Sequence, residues 1–62
     1  MVLNIYDCAN GNTVFEIEIP VKEVQAYIDL IKSHGVEDDE MNEYKFRSVQ
    51  ILKDYIYINV EA

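Results

Sequence analysis

Between Thr13 and Ile19 the chain alternates strictly, with Phe15, Ile17 and Ile19 on one face and Val14, Glu16 and Glu18 on the other. A period of two is the signature of a half-buried strand. Met1–Asp7 reads as a strand before it, and Asn10-Gly11-Asn12 between the two is a turn signal. Two registers compete. A two-residue Asn-Gly turn sets Leu3 opposite Glu18 and Ile5 opposite Glu16, which strands both apolar residues on the polar face. One extra loop residue, or a bulge, moves Leu3 and Ile5 to the face of Phe15, Ile17 and Ile19. The bulged register is expected, because so short a chain has no core residue to spare.

The period then changes. Val21, Val24, Ile28 and Ile31 recur at steps of three and four, flanked by Tyr27 and Leu30, which predicts an amphipathic helix. Pro20 opens it, where a fixed φ and a missing N–H do no harm. Gly35 after His34 suits the left-handed stop position, and Val36 is placed to touch Ile31 just beyond it.

The run Glu37-Asp38-Asp39-Glu40-Met41-Asn42-Glu43 reads as a solvated acidic loop. Tyr44–Leu52 and Tyr55–Val60 follow as two strands around a turn at Lys53-Asp54. Pairing Leu52 with Tyr55 sets Arg47, Val49 and Ile51 opposite Val60, Ile58 and Ile56. Phe46, Ser48 and Gln50 then share the other face with Tyr55, Tyr57 and Asn59. The rival reading, a helix over 39–53 capped by Asp39, fits Met41, Tyr44, Val49 and Leu52 poorly. The β-branched and aromatic content favours strands.

The expected architecture is α+β: a single domain over residues 1–62, ββαββ, with one helix on one face of a mostly antiparallel sheet. Leu3, Ile5, Phe15, Ile17, Ile19, Val24, Ile28, Ile31, Val49, Ile51, Ile56 and Ile58 form the predicted core. No second helix remains to cover the opposite face, so function is expected there. On the expected register that face displays Asn4, Tyr6, Glu16, Glu18, Gln50, Tyr55, Tyr57 and Asn59.

Composition narrows the function. Sixty-two residues carry 12 acids against 5 bases, a formal charge of −7, with half the residues apolar. A domain of this length buries only about 60% of its unfolded surface, and it is too short for the usual nucleotide-binding enzymes or for barrels. Phosphate affinity comes mainly from Lys and Arg, and Lys22, Lys32, Lys45, Lys53 and Arg47 are scattered, so direct nucleic-acid binding is not expected. One cysteine, Cys8, precludes an intrachain disulfide. One Cys with one His, His34, leaves no four-ligand zinc set. No run nears the roughly 18 apolar residues of a membrane helix, and MVLNIYDC lacks a signal-peptide pattern. The expectation is a cytoplasmic protein without cofactor or metal.

Catalysis finds little support. His34 sits at a helix end, where its positive form complements the dipole. Cys8 has no basic neighbour in sequence to activate it. A general acid–base pair of carboxylates needs a pocket that separates their pKa values. A calcium loop counted from Glu37 places Asn42 where Gly belongs and Ser48 where the bidentate Glu belongs, so the pattern fails. The carboxylates instead suit an interaction module for a basic protein surface. Glu16, Glu18, Glu37, Asp38, Asp39, Glu40 and Glu43 take the place of phosphates, and Tyr6, Tyr55 and Tyr57 supply desolvated anchors.

In its size, acidity, ββαββ outline and richness in residues with AT-rich codons, the chain resembles the small inhibitors encoded by phages and mobile elements, anti-CRISPR proteins among them. That resemblance implies stoichiometric blocking of a host nucleic-acid-binding protein in the host cytoplasm, with no cofactor. The guide or target channel of a CRISPR effector is one such target. The alternative is a structural or regulatory homodimer joined through the uncovered face or an exposed edge strand.

Overall fold

The alternating N-terminal residues form a hairpin in which β1 (Val2–Asp7) runs antiparallel to β2 (Asn12–Glu18). The computed structural model describes the whole chain, residues 1–62. Leu3 pairs with Ile17 and Ile5 with Phe15, after which the register shifts and Tyr6 meets Thr13. Val14 is the extra residue of that bulge, and it packs against the core instead of joining Glu16 and Glu18. The bulge keeps Leu3 and Ile5 on the apolar face, where both are fully buried.

Pro20 leads into one 3₁₀ turn, Val21–Glu23, whose Glu23 N–H donates to the Pro20 carbonyl at 2.9 Å. Helix α1 proper spans Val24–His34 and buries Ile28 and Ile31. It therefore begins later than Pro20 alone implies, and Val21 is left 69% exposed. At the far end the Gly35 N–H donates to the Ile31 carbonyl at 2.7 Å, with φ at +71°. Glycine is needed here for two reasons. A side chain resists that φ, and a Cβ would collide with the Tyr44 carbonyl oxygen.

After the helix come β3 (Val36–Glu37), β4 (Glu43–Ile51) and β5 (Tyr55–Glu61). The sheet order is β2-β1-β5-β4-β3, and β1–β5 is its one parallel pair. The molecule is α+β, one helix on a mostly antiparallel five-stranded sheet. The short strand β3 makes the element order ββαβββ, which the acidic composition of Glu37–Glu43 concealed. Strand β4 occupies most of 39–53, so no second helix forms there.

The β4–β5 register matches expectation from the turn as far as Ser48 opposite Asn59, with Ile51 opposite Ile56 and Val49 opposite Ile58. A second bulge then intervenes, and Phe46, not Arg47, faces Val60. Phe46 consequently lies on the helix side, packed against the core with the Lys32 ammonium 5.5 Å from its ring centroid. Arg47 is extruded and bonds Glu61 through Nε at 2.7 Å. The exchange follows from burial: an aromatic ring gains where an exposed guanidinium would be desolvated.

Seven apolar side chains are buried and form the core: Leu3, Ile5, Ile28, Ile31, Ile56, Ile58 and Val60. Phe15, Ile17, Ile19, Val24 and Val49, expected in the core, are half-buried around it. Ile51 is not a core residue; it is 68% exposed. Its exposure follows from the path of α1. The helix starts just after β2 and ends against Tyr44 at the start of β4, so it crosses the sheet diagonally. The corner at the end of β4, where Ile51 lies, is left uncovered.

Candidate binding surfaces

Asn4 stands at the centre of the face opposite the helix, between Glu16 on β2 and Tyr57 on β5. No helix covers it, yet it is only 6% exposed, because neighbouring side chains on the same face close over it. Its amide donates to Glu16 Oε2 at 3.2 Å and to the Tyr55 hydroxyl at 3.3 Å, and its Oδ1 accepts from the Thr13 hydroxyl at 3.2 Å. The Tyr55 hydroxyl itself donates to Glu16 Oε2. That bond to a carboxylate holds the phenol proton and raises the Tyr55 pKa above its ordinary 10.0, against an opposing effect of Asn4.

Tyr57 joins the tyrosines into a strip. Its ring meets Tyr6 edge-on, centroids 6.1 Å apart, and lies 5.1 Å from Tyr55 at a tilt of 50°. Alternation along β1 and β5 places all three on one face, and parallel pairing of those strands brings them into contact. Glu18, exposed on the edge strand β2, completes this group. Tyr6, Tyr55, Tyr57, Glu16 and Glu18 are thus brought together. Thr13 is the network member that sequence pattern did not flag, since the β2 bulge alone brings it opposite β1.

The acidic segment is solvated, as expected, but it is an ordered hairpin turn between two paired ends. Val36 pairs with Tyr44 and Glu37 with Glu43. Asp38 organises the turn between them. Its Oδ1 accepts from the backbone N–H groups of Glu40 and Asn42, both at 2.9 Å. Its Oδ2 accepts from Asn42 Nδ2 at 3.0 Å and the Tyr44 hydroxyl at 3.2 Å. The Asp38 N–H closes the turn on the Asn42 carbonyl at 3.0 Å, and Met41 takes a positive φ of 66°. These donors, Asn42's side chain first, hold the Asp38 carboxyl below its ordinary 3.8. Asp38 thus serves the turn, whereas Glu37, Asp39, Glu40 and Glu43 are exposed.

A similar device shapes the first hairpin, where sequence reading did not single out Asp7. Asp7 is 2% exposed and accepts from Ala9 N, Asn10 N and Asn10 Nδ2 at 3.1, 3.2 and 2.9 Å. The Asn10 side chain, ahead of the backbone donors, pulls its carboxyl below 3.8. The readable signal was an Asp followed at the third position by Asn and then Gly, the ingredients of an Asx turn.

Sheet order separates the two acidic groups. Glu16 and Glu18 lie on β2 at one edge, and Glu37–Glu43 lies at the opposite edge. Three strand spacings separate β2 from Glu43 on β4 and four from Glu37 on β3, about 14–19 Å. The carboxylates grouped as one binding set therefore divide in two: a tyrosine–carboxylate face on β1, β2 and β5, and an acidic hairpin joining β3 to β4.

Elsewhere, Cys8 donates its thiol to the Val60 carbonyl at 3.4 Å. His34 lines a shallow cavity with Lys32, Ser33, Gly35, Lys45 and Phe46, none of them acidic. No three His, Cys, Asp or Glu side chains converge as a metal ion requires. No helix is long and apolar enough to cross a membrane. In comparisons with known proteins, no family model, no curated protein and no solved structure matches this chain.

Proposed function

We propose that this chain is a non-catalytic interaction module that occupies a basic, nucleic-acid-binding surface of another protein, stoichiometrically and without a cofactor. The observation that carries the reading is the acidic hairpin. Glu37 and Glu43 face each other across two strands, with Asp39 and Glu40 on the turn between them. Asp38 and its four donors shape that turn, so little ordering entropy is lost when it docks. Like charges held opposite one another are unfavourable in isolation, and Lys or Arg from a partner relieves the repulsion. An acidic projection of this kind attracts basic channels at long range and competes with phosphates for them. By the resemblance to phage and mobile-element inhibitors, the target is a host nucleic-acid enzyme in the host cytoplasm, a CRISPR effector being the leading example.

The test is an affinity capture from the native host at low and high salt, with mass spectrometry, run beside a variant carrying Glu37→Gln, Asp39→Asn, Glu40→Gln and Glu43→Gln. A basic nucleic-acid-binding protein retained at low salt, released at high salt and lost with the variant supports the proposal. A partner whose retention ignores both salt and the four substitutions refutes it.

A second reading rests on the tyrosine strip of Tyr6, Tyr55 and Tyr57, which no element covers: a homodimer joined face to face. It requires twice the monomer mass by analytical ultracentrifugation at micromolar concentration, and reversion to monomer in Tyr57→Glu.

A further inference from the structure

Strand β2 forms one edge of the sheet, and no strand pairs with it on its outer side. The phase of its hydrogen bonds fixes what that edge offers. Ile19 and Met1 exchange both backbone bonds: the Ile19 N–H donates to the Met1 carbonyl at 3.0 Å, and the Met1 terminal amine to the Ile19 carbonyl at 3.2 Å. Such exchanged pairs alternate along an antiparallel ladder, so Ile17, opposite Leu3, also turns its backbone groups towards β1. The N–H and C=O groups of Glu16 and Glu18 therefore point away from the sheet. Both residues are exposed, and their side chains lie on the tyrosine face.

Charged residues on an edge strand are the ordinary guard against self-association, and that accounts for carboxylates at these two positions. It does not account for the other side of the same strand. Phe15, Ile17 and Ile19 are only half-buried there, and Ile19 continues into an apolar groove of about 260 Å³ lined also by Glu23, Ala26, Tyr27 and Leu30. Leu30 is 54% exposed on its wall. Charge selects among the occupants. The chain's one ion pair is Arg47–Glu61, so Glu16, Glu18 and Glu23 have no Lys or Arg of their own within 4.0 Å. Pairing two copies of β2 antiparallel about Glu16 or Ile17 sets carboxylate against carboxylate, which is unfavourable. A basic strand meets no such repulsion.

We propose that the β2 edge takes up an extended basic segment of a partner protein as a further, antiparallel strand of the sheet. Lys or Arg at alternate positions of that segment stands opposite Glu16 and Glu18. The apolar residues between them lie on the side of Ile17 and Ile19 and reach the groove beside α1. The backbone of Glu16 and Glu18 supplies the main-chain bonds, and the alternation of charge and apolar contact supplies the specificity. The acidic hairpin lies at the opposite edge of the sheet, and this surface does not depend on the hairpin's binding a partner.

The experiment is an NMR titration of the isotope-labelled full chain with a short synthetic peptide of alternating lysine and valine. A peptide of the same composition, with the two residue types in pairs instead of alternating, serves as control. The expected result is saturable displacement of the Glu16, Ile17 and Glu18 amide signals, with slowed hydrogen exchange at the Glu16 and Glu18 N–H groups as they gain main-chain acceptors. Glu18→Gln should weaken binding about threefold, the loss of one exposed ion pair. Leu30→Gln should weaken it about fivefold, the loss of part of a buried leucine. Glu61→Gln removes the same charge at the far end of β5 and should leave the affinity unaltered. The proposal is overturned if the peptide shifts only signals of Glu37–Glu43, or if exchange at Glu16 and Glu18 does not slow. It is equally overturned if the paired-order peptide binds as tightly, or if Glu61→Gln weakens binding as much as Glu18→Gln. Slow exchange at Glu16 and Glu18 without peptide, with a doubled mass, assigns the edge to a second copy instead.

Discussion

Glu37 and Glu43 are cross-strand neighbours, two carboxylates set directly opposite one another where β3 meets β4. Only two residues of β3 pair with β4, so this contact makes up half of that ladder. Its repulsion is an internal cost of the hairpin, offset by Val36 packing on the core and by the bonds converging on Asp38.

Substituting Glu43→Lys therefore stabilises the isolated protein, by about 0.2–1 kcal/mol, the range for a favourable cross-strand pair. Urea denaturation should show a higher midpoint with an unchanged slope. The same substitution is expected to weaken capture of the basic partner. A residue that costs stability while supporting binding behaves as a functional residue, and a Glu43→Lys protein less stable than the parent removes that argument.

Acid should act on the two turns through Asp38 and Asp7. Both carboxyls are held below 3.8 by hydrogen bonds to the ionised form, so the unfolded chain binds protons at a higher pH than the folded one. Their contribution is fully present above 3.8 and is lost as pH falls through the lower, folded values. Between those limits stability rises with pH. Asp38→Asn keeps the shape of the side chain and removes the titration. The stability difference between parent and variant, measured by denaturation at a series of pH values, should shrink as pH drops below 3.8 and stay constant above about pH 5.

Truncation in the core separates residues that look equivalent in sequence. Ile58→Ala removes a fully buried side chain at the centre of the sheet and should cost about 2–5 kcal/mol. Ile51→Ala, at a position 68% exposed, should stay within about 0.5 kcal/mol of the parent. Thermal unfolding with two independent probes distinguishes the two outcomes.

Those two isoleucines mark where pattern reading stops. Alternation places both on the helix face, and it does so rightly, because face is a local property with a period of two. Burial depends on where the helix lies, and the diagonal course of α1 is fixed by the Gly35–Tyr44 contact between distant segments. The first bulge was legible because the unbulged register strands Leu3 and Ile5. The second was not: exchanging Phe46 for Arg47 opposite Val60 leaves the alternation of Val49 and Ile51 intact, and only burial of the ring against the core reveals it. The candidate site divides in the same way. Membership of Tyr6, Tyr55, Tyr57, Glu16 and Glu18 in one face followed from strand periodicity. The distance of Glu37–Glu43 from them is a matter of sheet order, which hydropathy does not encode. The role of Asp38 was hidden because its acidic neighbours Glu37, Asp39 and Glu40 made the run look uniformly solvated.

At high pH the tyrosine face supplies its own test. The Tyr55 hydroxyl donates to Glu16, and this bond to a negative acceptor opposes ionisation. Tyr44 is likewise raised, by desolvation first and then by its bond to Asp38, and Tyr27 by burial. A tyrosine whose folded pKa exceeds its unfolded 10.0 contributes stability that is present below that value and is lost as pH rises through the folded one. Following tyrosinate absorbance in the folded protein should therefore show transitions of Tyr27, Tyr44 and Tyr55 above 10.0. Glu16→Gln removes the negative acceptor and should bring the Tyr55 transition down towards the ordinary value while leaving Tyr27 and Tyr44 in place. Tyr55→Phe should delete one high-pH transition outright. If Glu16→Gln leaves all three unmoved, the Glu16–Tyr55 bond does not persist in solution.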